Sequence, residues 1–142
     1  MNSKQAKEFI KALDALVAEK GIDKDYVIES MEAAMANAYK KNEGISNVKC
    51  RVNPNTGEIK LYTYRTVIEK GPEDEFEIDE DTQILLEDAR GIVDDIEVGE
   101  TIDTEVKIIP ENFGRVAVLS AKQIIVQKVK EAEKNLLKHL MH

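Results

Sequence analysis

Arg115, Lys122, Gln123, Gln127, Lys128 and Lys130 gather basic and amide side chains on one stretch of an otherwise acidic chain. Guanidinium, ammonium and carboxamide groups donate hydrogen bonds, and the first two add positive charge, which is the chemistry that holds phosphate oxygens. Arg115 and Lys122 are seven residues apart, so on a helix they project from nearly the same face. Lys40 and Lys41, in AYKKN, form a second basic pair far away in the sequence.

Nothing comparable points to catalysis. His139 and His142 lie near no nucleophile and sit in the tail, and there is no Gly-rich phosphate loop or nucleophile elbow. A calcium loop needs glycine at its sixth position, and the series Asp79, Asp81, Gln83 has Ile84 there. Paired carboxylates are common, but a net charge of −8 makes them ordinary solvated surface. No catalytic residue, metal site or cofactor is expected.

The basic residues need elements to hold them. Ala6, Phe9, Ile10, Leu13, Leu16 and Val17 recur at helical spacing, and Gly21 after Lys20 suits a left-handed cap. Asp23 can cap a second helix whose apolar stripe is Val27, Ile28, Met31, Met35 and Ala38, ending near Lys40. The short glycine-containing link predicts that the two helices pair as an antiparallel hairpin. Methionines also suit adaptable docking grooves, but the spacing of Met31 and Met35 favours core.

From Val48 the period changes to two. Val48, Cys50 and Val52 point one way, and Ile59, Leu61 and Thr63 answer them across a turn from Pro54 to Gly57, an antiparallel hairpin. The other face carries Lys49, Arg51, Lys60, Tyr62 and Tyr64, which either stack bases or are simply exposed or covered; strand preference for tyrosine favours the second reading. Val67 and Ile68 continue or restart a strand, Glu73 to Asp81 makes a short edge strand or loop, and Ile84 to Arg90 a short helix closed by Gly91. Ile102, Thr104, Val106 and Ile108 alternate as a last strand stopped by Pro110.

Asn112 and Phe113 lead into Gly114, read as a turn in backbone angles closed to other residues, and no Gly or Pro follows. Val118, Ala121, Ile125, Val129, Ala132, Leu136 and Leu140 are spaced three, four, four and again three, four, four. That period stays on one side of a nearly straight helix about 40 Å long, longer than a small domain, so part of it projects. A projecting helix either dimerises through its stripe or spaces this domain from another.

Composition sets limits. A chain of 142 residues suits one domain, and 42% apolar content excludes disorder. No apolar run approaches the roughly twenty residues of a membrane span, and the first helix is amphipathic rather than a signal peptide, so a cytoplasmic location is expected. Cys50, the only cysteine, has a core position. The net charge of −8 argues against a free nucleic-acid binder, so any RNA contact is local, and weak for this domain alone. Acidic residues concentrate in Glu69 to Asp81 and Glu87 to Glu105, whereas Lys40, Lys41, Lys49, Arg51, Lys60 and Arg65 occupy the first half. One face can then repel nucleic acid while another attracts it, although charge counting alone favours plain solvation.

The pattern FGR…SAKQxIxQKVxEAE from Phe113 resembles the end of the N-terminal domain of the NusA family of transcription termination and antitermination factors. LDALVAEKGIDKDYVIESMEAAMANAYKKN from Leu13 to Asn42 is similar to the family's paired helices and basic loop, and NPNTGEIKLY from Asn53 to Tyr62 to its first hairpin. LEDAR at Leu86 to Arg90 and VGE at Val98 to Glu100 follow in the same order. Two departures stand out: Glu73 to Gln83 is unusually acidic with extra residues, and the tail KHLMH does not lead into the RNA-binding domains that follow in the family. Those domains are expected to be absent from this chain.

The expected fold is α+β, one domain over 1–142: a helical hairpin over 1–41, a small mainly antiparallel sheet with a short helix over 47–109, and a long connecting helix over 113–140. The resemblance implies docking on bacterial RNA polymerase, at the β-subunit flap near the RNA exit channel, with effects on pausing, termination and antitermination. It further implies that Lys40, Lys41, Arg115 and Lys122 face the nascent RNA hairpin, and that the domain acts as a monomeric scaffold rather than an enzyme. The rival reading is a structural dimerisation module built on the long helix.

Overall fold

The computed structural model describes residues 2–140, with the side chains of 135–139 outside the description. Leu136 and His139 as side chains, and His142 altogether, therefore lie outside the described residues. The first helix, α1 (Ser3–Lys20), starts with a reciprocal cap: Asn2 Oδ1 accepts from the Gln5 amide at 2.9 Å, and Gln5 Oε1 accepts from the Asn2 amide at 3.0 Å. It buries Ala6, Ile10, Leu13 and Val17 and ends on Gly21 in the left-handed conformation.

Asp23 caps α2 (Lys24–Glu43), its Oδ1 accepting from the Asp25 amide at 3.0 Å. The helix runs three residues past the expected end at Lys40, because nothing before Gly44 supplies a terminator. Met31 and Met35 are completely buried, so they are core. The stripe continues into Ala36 and Tyr39 rather than Ala38, which is half-buried. Lys24 Nζ reaches Asp14 on α1 and the carbonyl of Pro54 in the hairpin turn, both at 2.6 Å, and joins three elements.

Strands β1 (Val48–Val52) and β2 (Ile59–Ile68) pair antiparallel, with Val48 opposite Thr63, Cys50 opposite Leu61 and Val52 opposite Ile59. That register is the one the alternation of apolar residues requires. The hairpin turn holds Gly57 at φ 74, where a Cβ would lie 2.6 Å from the Ala6 carbonyl oxygen of α1. Only glycine allows that approach.

β2 is the central strand. On one edge it pairs antiparallel with β4 (Thr101–Glu105), Tyr62 opposite Glu105 and Thr66 opposite Thr101. On the other edge β1 gives way to β3 (Gln83–Leu85), which pairs parallel with Thr66 to Ile68. The parallel strand was not expected, since Ile84 and Leu85 were read as helix; α3 (Leu86–Arg90) begins only after them. Asn47 explains the placement: it is buried, and its Nδ2 donates to the carbonyls of Tyr64 and Asp81, each at 2.7 Å, clamping the end of the acidic segment beside β2. Glu73 to Asp81 is turn and loop rather than strand, and Gly91 closes α3 with right-handed angles at φ −70.

β4 is also shorter than the sequence pattern suggests. Val106 still donates to the Leu61 carbonyl at 2.8 Å, but the chain then leaves the sheet, so Ile108 is exposed and Pro110 is not the terminator; Thr104 is exposed although it pairs with Thr63. Two apolar clusters result. The larger joins α1, α2, β1, β2 and the last helix, α4 (Phe113–Leu140), around Met31, Met35, Leu61 and Phe113. The smaller packs Val67, Ile84, Ala89, Ile96 and Ile102 at the far end of the sheet.

Candidate nucleic-acid interface

α4 opens through a turn in which the Phe113 amide donates to the Pro110 carbonyl at 3.0 Å. Gly114 lies inside the first helical turn without a positive φ, so the expected special turn at that glycine does not form. Phe113 sets the phase of the helix instead. It is almost fully buried, and its ring meets Tyr39 of α2 edge-on, with centroids 6.0 Å apart and planes at 82°.

From that anchor Phe113, Ala117, Ala121 and Ile125 are buried at steps of four. Val27, Met31, Met35 and Tyr39 on α2 step by four as well, so each helix offers the other a ridge of that spacing. The expected stripe beginning at Val118 is displaced: Val118 and Val129 are half-buried and Ala132 is exposed. Leu140, 72% exposed, confirms that the far end of α4 projects from the body.

Contacts at both ends show that α2 and α4 run antiparallel. Tyr39 near the end of α2 meets Phe113 at the start of α4, while Tyr26 near the start of α2 meets Lys128. Lys40 and Lys41 therefore share one end of the helix pair with Arg115. Lys122 lies about 10 Å further along α4. Lys41, Arg115 and Lys122 are exposed and Lys40 is half-buried. Around α4, Arg115 lies about half a turn and Lys122 about a quarter turn from the nearest part of the buried ridge, and both side chains face solvent.

Lys128 does not share that surface. It is half-buried, its Nζ stands 4.2 Å from the centre of the Tyr26 ring, and it reaches Glu131 at 3.5 Å. The outer face of α4 thus carries Arg115, Lys122, Gln123, Gln127 and Lys130, with Leu119 and Val126 exposed among them. Cations spaced by apolar and amide groups can lower repulsion among phosphates without fixing one sequence.

The tyrosine face of the sheet has a different character. Lys49 is paired with Asp103 at 2.5 Å, and Tyr62 stands opposite Glu105, so β4 brings carboxylates to the residues a base-stacking face would use. Tyr62 and Tyr64 are half-buried.

Sequence reasoning missed a groove of about 720 Å³ between α1 and the start of α4, lined by Gln5, Glu8, Phe9, Arg115, Val118 and Leu119. Phe9 and Val118 were each assigned to a core stripe, and only the packing of the two helices leaves both partly open. Leu119 sits outside both helical stripes, the one sign of this groove in the sequence. Among the described residues no helix is long and apolar enough to cross a membrane, and no cluster of three metal-ligating side chains occurs.

Residues 8–135 match the family model of the NusA N-terminal domain. The transcription termination/antitermination proteins NusA of Halalkalibacterium halodurans and Bacillus subtilis are 37% and 36% identical over 131 residues, 92% of this chain. The Thermus thermophilus protein of the same name is 29% identical over 140 residues. The chain spans about a third of the length of these relatives, 32% and 33% for the first two. The solution structure of the N-terminal domain of NusA from B. subtilis superposes with a TM-score of 0.63 at 37% identity, covering 91% of this chain and 98% of that one. With two N-terminal helices, the small sheet, the short helix and the long last helix all shared with that domain, the chain belongs to the NusA family of transcription termination and antitermination factors.

Proposed function

We propose that this domain docks on bacterial RNA polymerase at the β-subunit flap, beside the RNA exit channel, prolonging hairpin-dependent pauses and taking part in termination and antitermination. Family membership supports a role in transcription. The observation that carries the finer reading is the neighbourhood of Arg115, which lines the apolar groove between α1 and α4 and also begins the basic outer face of α4. A helix of the polymerase seated on Phe9, Val118 and Leu119 leaves Arg115, Lys122 and the Lys40–Lys41 end turned toward emerging RNA.

The domain works as a scaffold. Its cations lower the repulsion among phosphates of a hairpin forming in the channel, favouring folded RNA over single strand. Polymerase supplies the proximity that the net charge of −8 denies to free RNA. Dimerisation through α4 has less surface to use, because α2 takes the buried ridge as far as Ile125. On this reading the chain acts as a monomer, and work beside RNA polymerase places it in the cytoplasm.

Pull-down of core polymerase with this domain, using polymerase with and without the β flap tip, tests the reading. Retention only when the flap tip is present is expected. Equal retention of both polymerases removes the flap as the docking site, and no retention of either removes polymerase.

A further inference from the structure

The segment from α3 to β4 exposes three large apolar side chains within seven residues: Ile92 at 60%, Val93 at 46% and Val98 at 50%. They are held in an ordered place. The Ile92 and Val93 amides donate to the Ala89 carbonyl at 3.0 and 2.9 Å, and Val67 fastens the segment to β2, its carbonyl accepting from the Gly99 amide at 2.9 Å and its amide donating to the Glu100 carbonyl at 2.8 Å. Arg90 Nε donates to the Ile96 carbonyl at 3.2 Å, while Ile96 itself turns inward to the smaller cluster. The same turn that buries Ile96 presents its neighbours to solvent.

Around them lie Glu87, Asp88, Asp94, Asp95, Glu97 and Glu100, all exposed. Arg90 is the segment's only cation, and it is already within 3.5 Å of Glu97. Six carboxylates against one cation repel nucleic acid, so this patch has no use for RNA. Exposed apolar groups interleaved with exposed carboxylates along one short segment match a partner of opposite design, with apolar anchors among basic groups.

The geometry points to a second protein-docking surface at Ile92, Val93 and Val98, whose occupant is a basic, apolar-anchored segment of the polymerase. This rests on the polymerase-docking reading above and adds to it. Phe9 of the helix groove packs on the larger apolar cluster, whereas Ile96, in the same segment as Ile92, Val93 and Val98, belongs to the smaller one, so two weak contacts at separate places fix the domain's orientation as well as its affinity. The acidic patch turns to protein and the basic face of α4 is left for RNA.

Two variants test it, Ile92→Ser with Val93→Ser and Asp94→Lys with Asp95→Lys. All four positions are exposed, so melting temperatures should stay at the wild-type value. Affinity for core polymerase is measured for wild type and both variants over a range of salt concentrations. Each variant should bind at least about tenfold more weakly, and the lysine variant should lose salt sensitivity as well. Wild-type affinity in both variants overturns this surface alone. If wild type itself fails to bind polymerase, the docking reading falls and takes this surface with it.

Discussion

The ammonium of Lys128 stands over the ring of Tyr26, 4.2 Å from its centre, and this contact marks where α4 parts from the body of the domain. Before it lie the buried Ala121 and Ile125; beyond it Ala132 is exposed and Leu140 is 72% exposed. A cation over an aromatic face also keeps the long lysine from wandering, so the departure point is defined.

The two ends of α4 should then respond differently to truncation. Ile125→Ala removes a buried aliphatic group and should cost about 2–4 kcal/mol. Leu140→Ala should stay within about 0.5 kcal/mol. Denaturant melts of both variants check this, and equal losses would mean that a partner covers the far end.

Gly57 and Gly21 offer a second contrast, because both have a positive φ, 74 and 67. An alanine at Gly21 would meet nothing within 4 Å and should cost about 1–2 kcal/mol for the left-handed backbone alone. At Gly57 the added Cβ would press on the Ala6 backbone oxygen at 2.6 Å, which cannot swing aside as a side chain would. Gly57→Ala should therefore cost about 1–3 kcal/mol more than Gly21→Ala in the same melts.

Cys50 should be inert while the protein is folded. Burial, helped by the nearby Glu32 carboxylate, pushes its thiol from 9.0 up to about 12. Since the thiolate is the reactive form, labelling by a thiol reagent at pH 8 should be roughly a thousandfold slower than in urea. Between pH 9 and 12 the unfolded chain gives up this proton while the folded chain keeps it, so stability should fall as pH rises through that window. Labelling at the unfolded rate in native buffer would show that β1 opens readily.

The parts legible in the sequence were those where one periodicity governs one element. The β1–β2 register follows from Val48, Cys50 and Val52 answering Ile59, Leu61 and Thr63, and α1 from its stripe with Gly21 behind it. What stayed hidden depends on contacts between distant residues. Ile84 and Leu85 pair as a parallel strand because Asn47 holds the Asp81 carbonyl, a bond spanning 34 positions that no local pattern announces. The phase of α4 was misjudged because Phe113, taken for part of a turn, is its first buried residue. Lys128 looked like part of the basic face until Tyr26, from another helix, claimed it. Arg115 and Lys122 were legible as a pair, and both are exposed; that Lys40 and Lys41 lie at Arg115's end of the helix pair required Tyr39 to meet Phe113.

Charge reversal at Arg115 and Lys122 should separate docking from function. Both side chains are exposed on α4 away from its buried ridge, so Arg115→Glu with Lys122→Glu should leave melting behaviour within about 0.5 kcal/mol of wild type. Arg115 also lines the groove between α1 and α4, so polymerase retention should weaken, but by less than pausing, because the apolar contacts there come from Phe9, Val118 and Leu119. Pausing at an RNA hairpin should shorten: two carboxylates in place of two cations change the local charge by four, and repulsion of phosphates across a confined, water-poor channel is poorly screened. If the two cations are merely solvated surface, pausing is unaffected. Pause half-life in single-round transcription, with the double variant carried in the full-length protein, decides between them, and an unchanged half-life with intact binding removes both residues from the RNA-facing site.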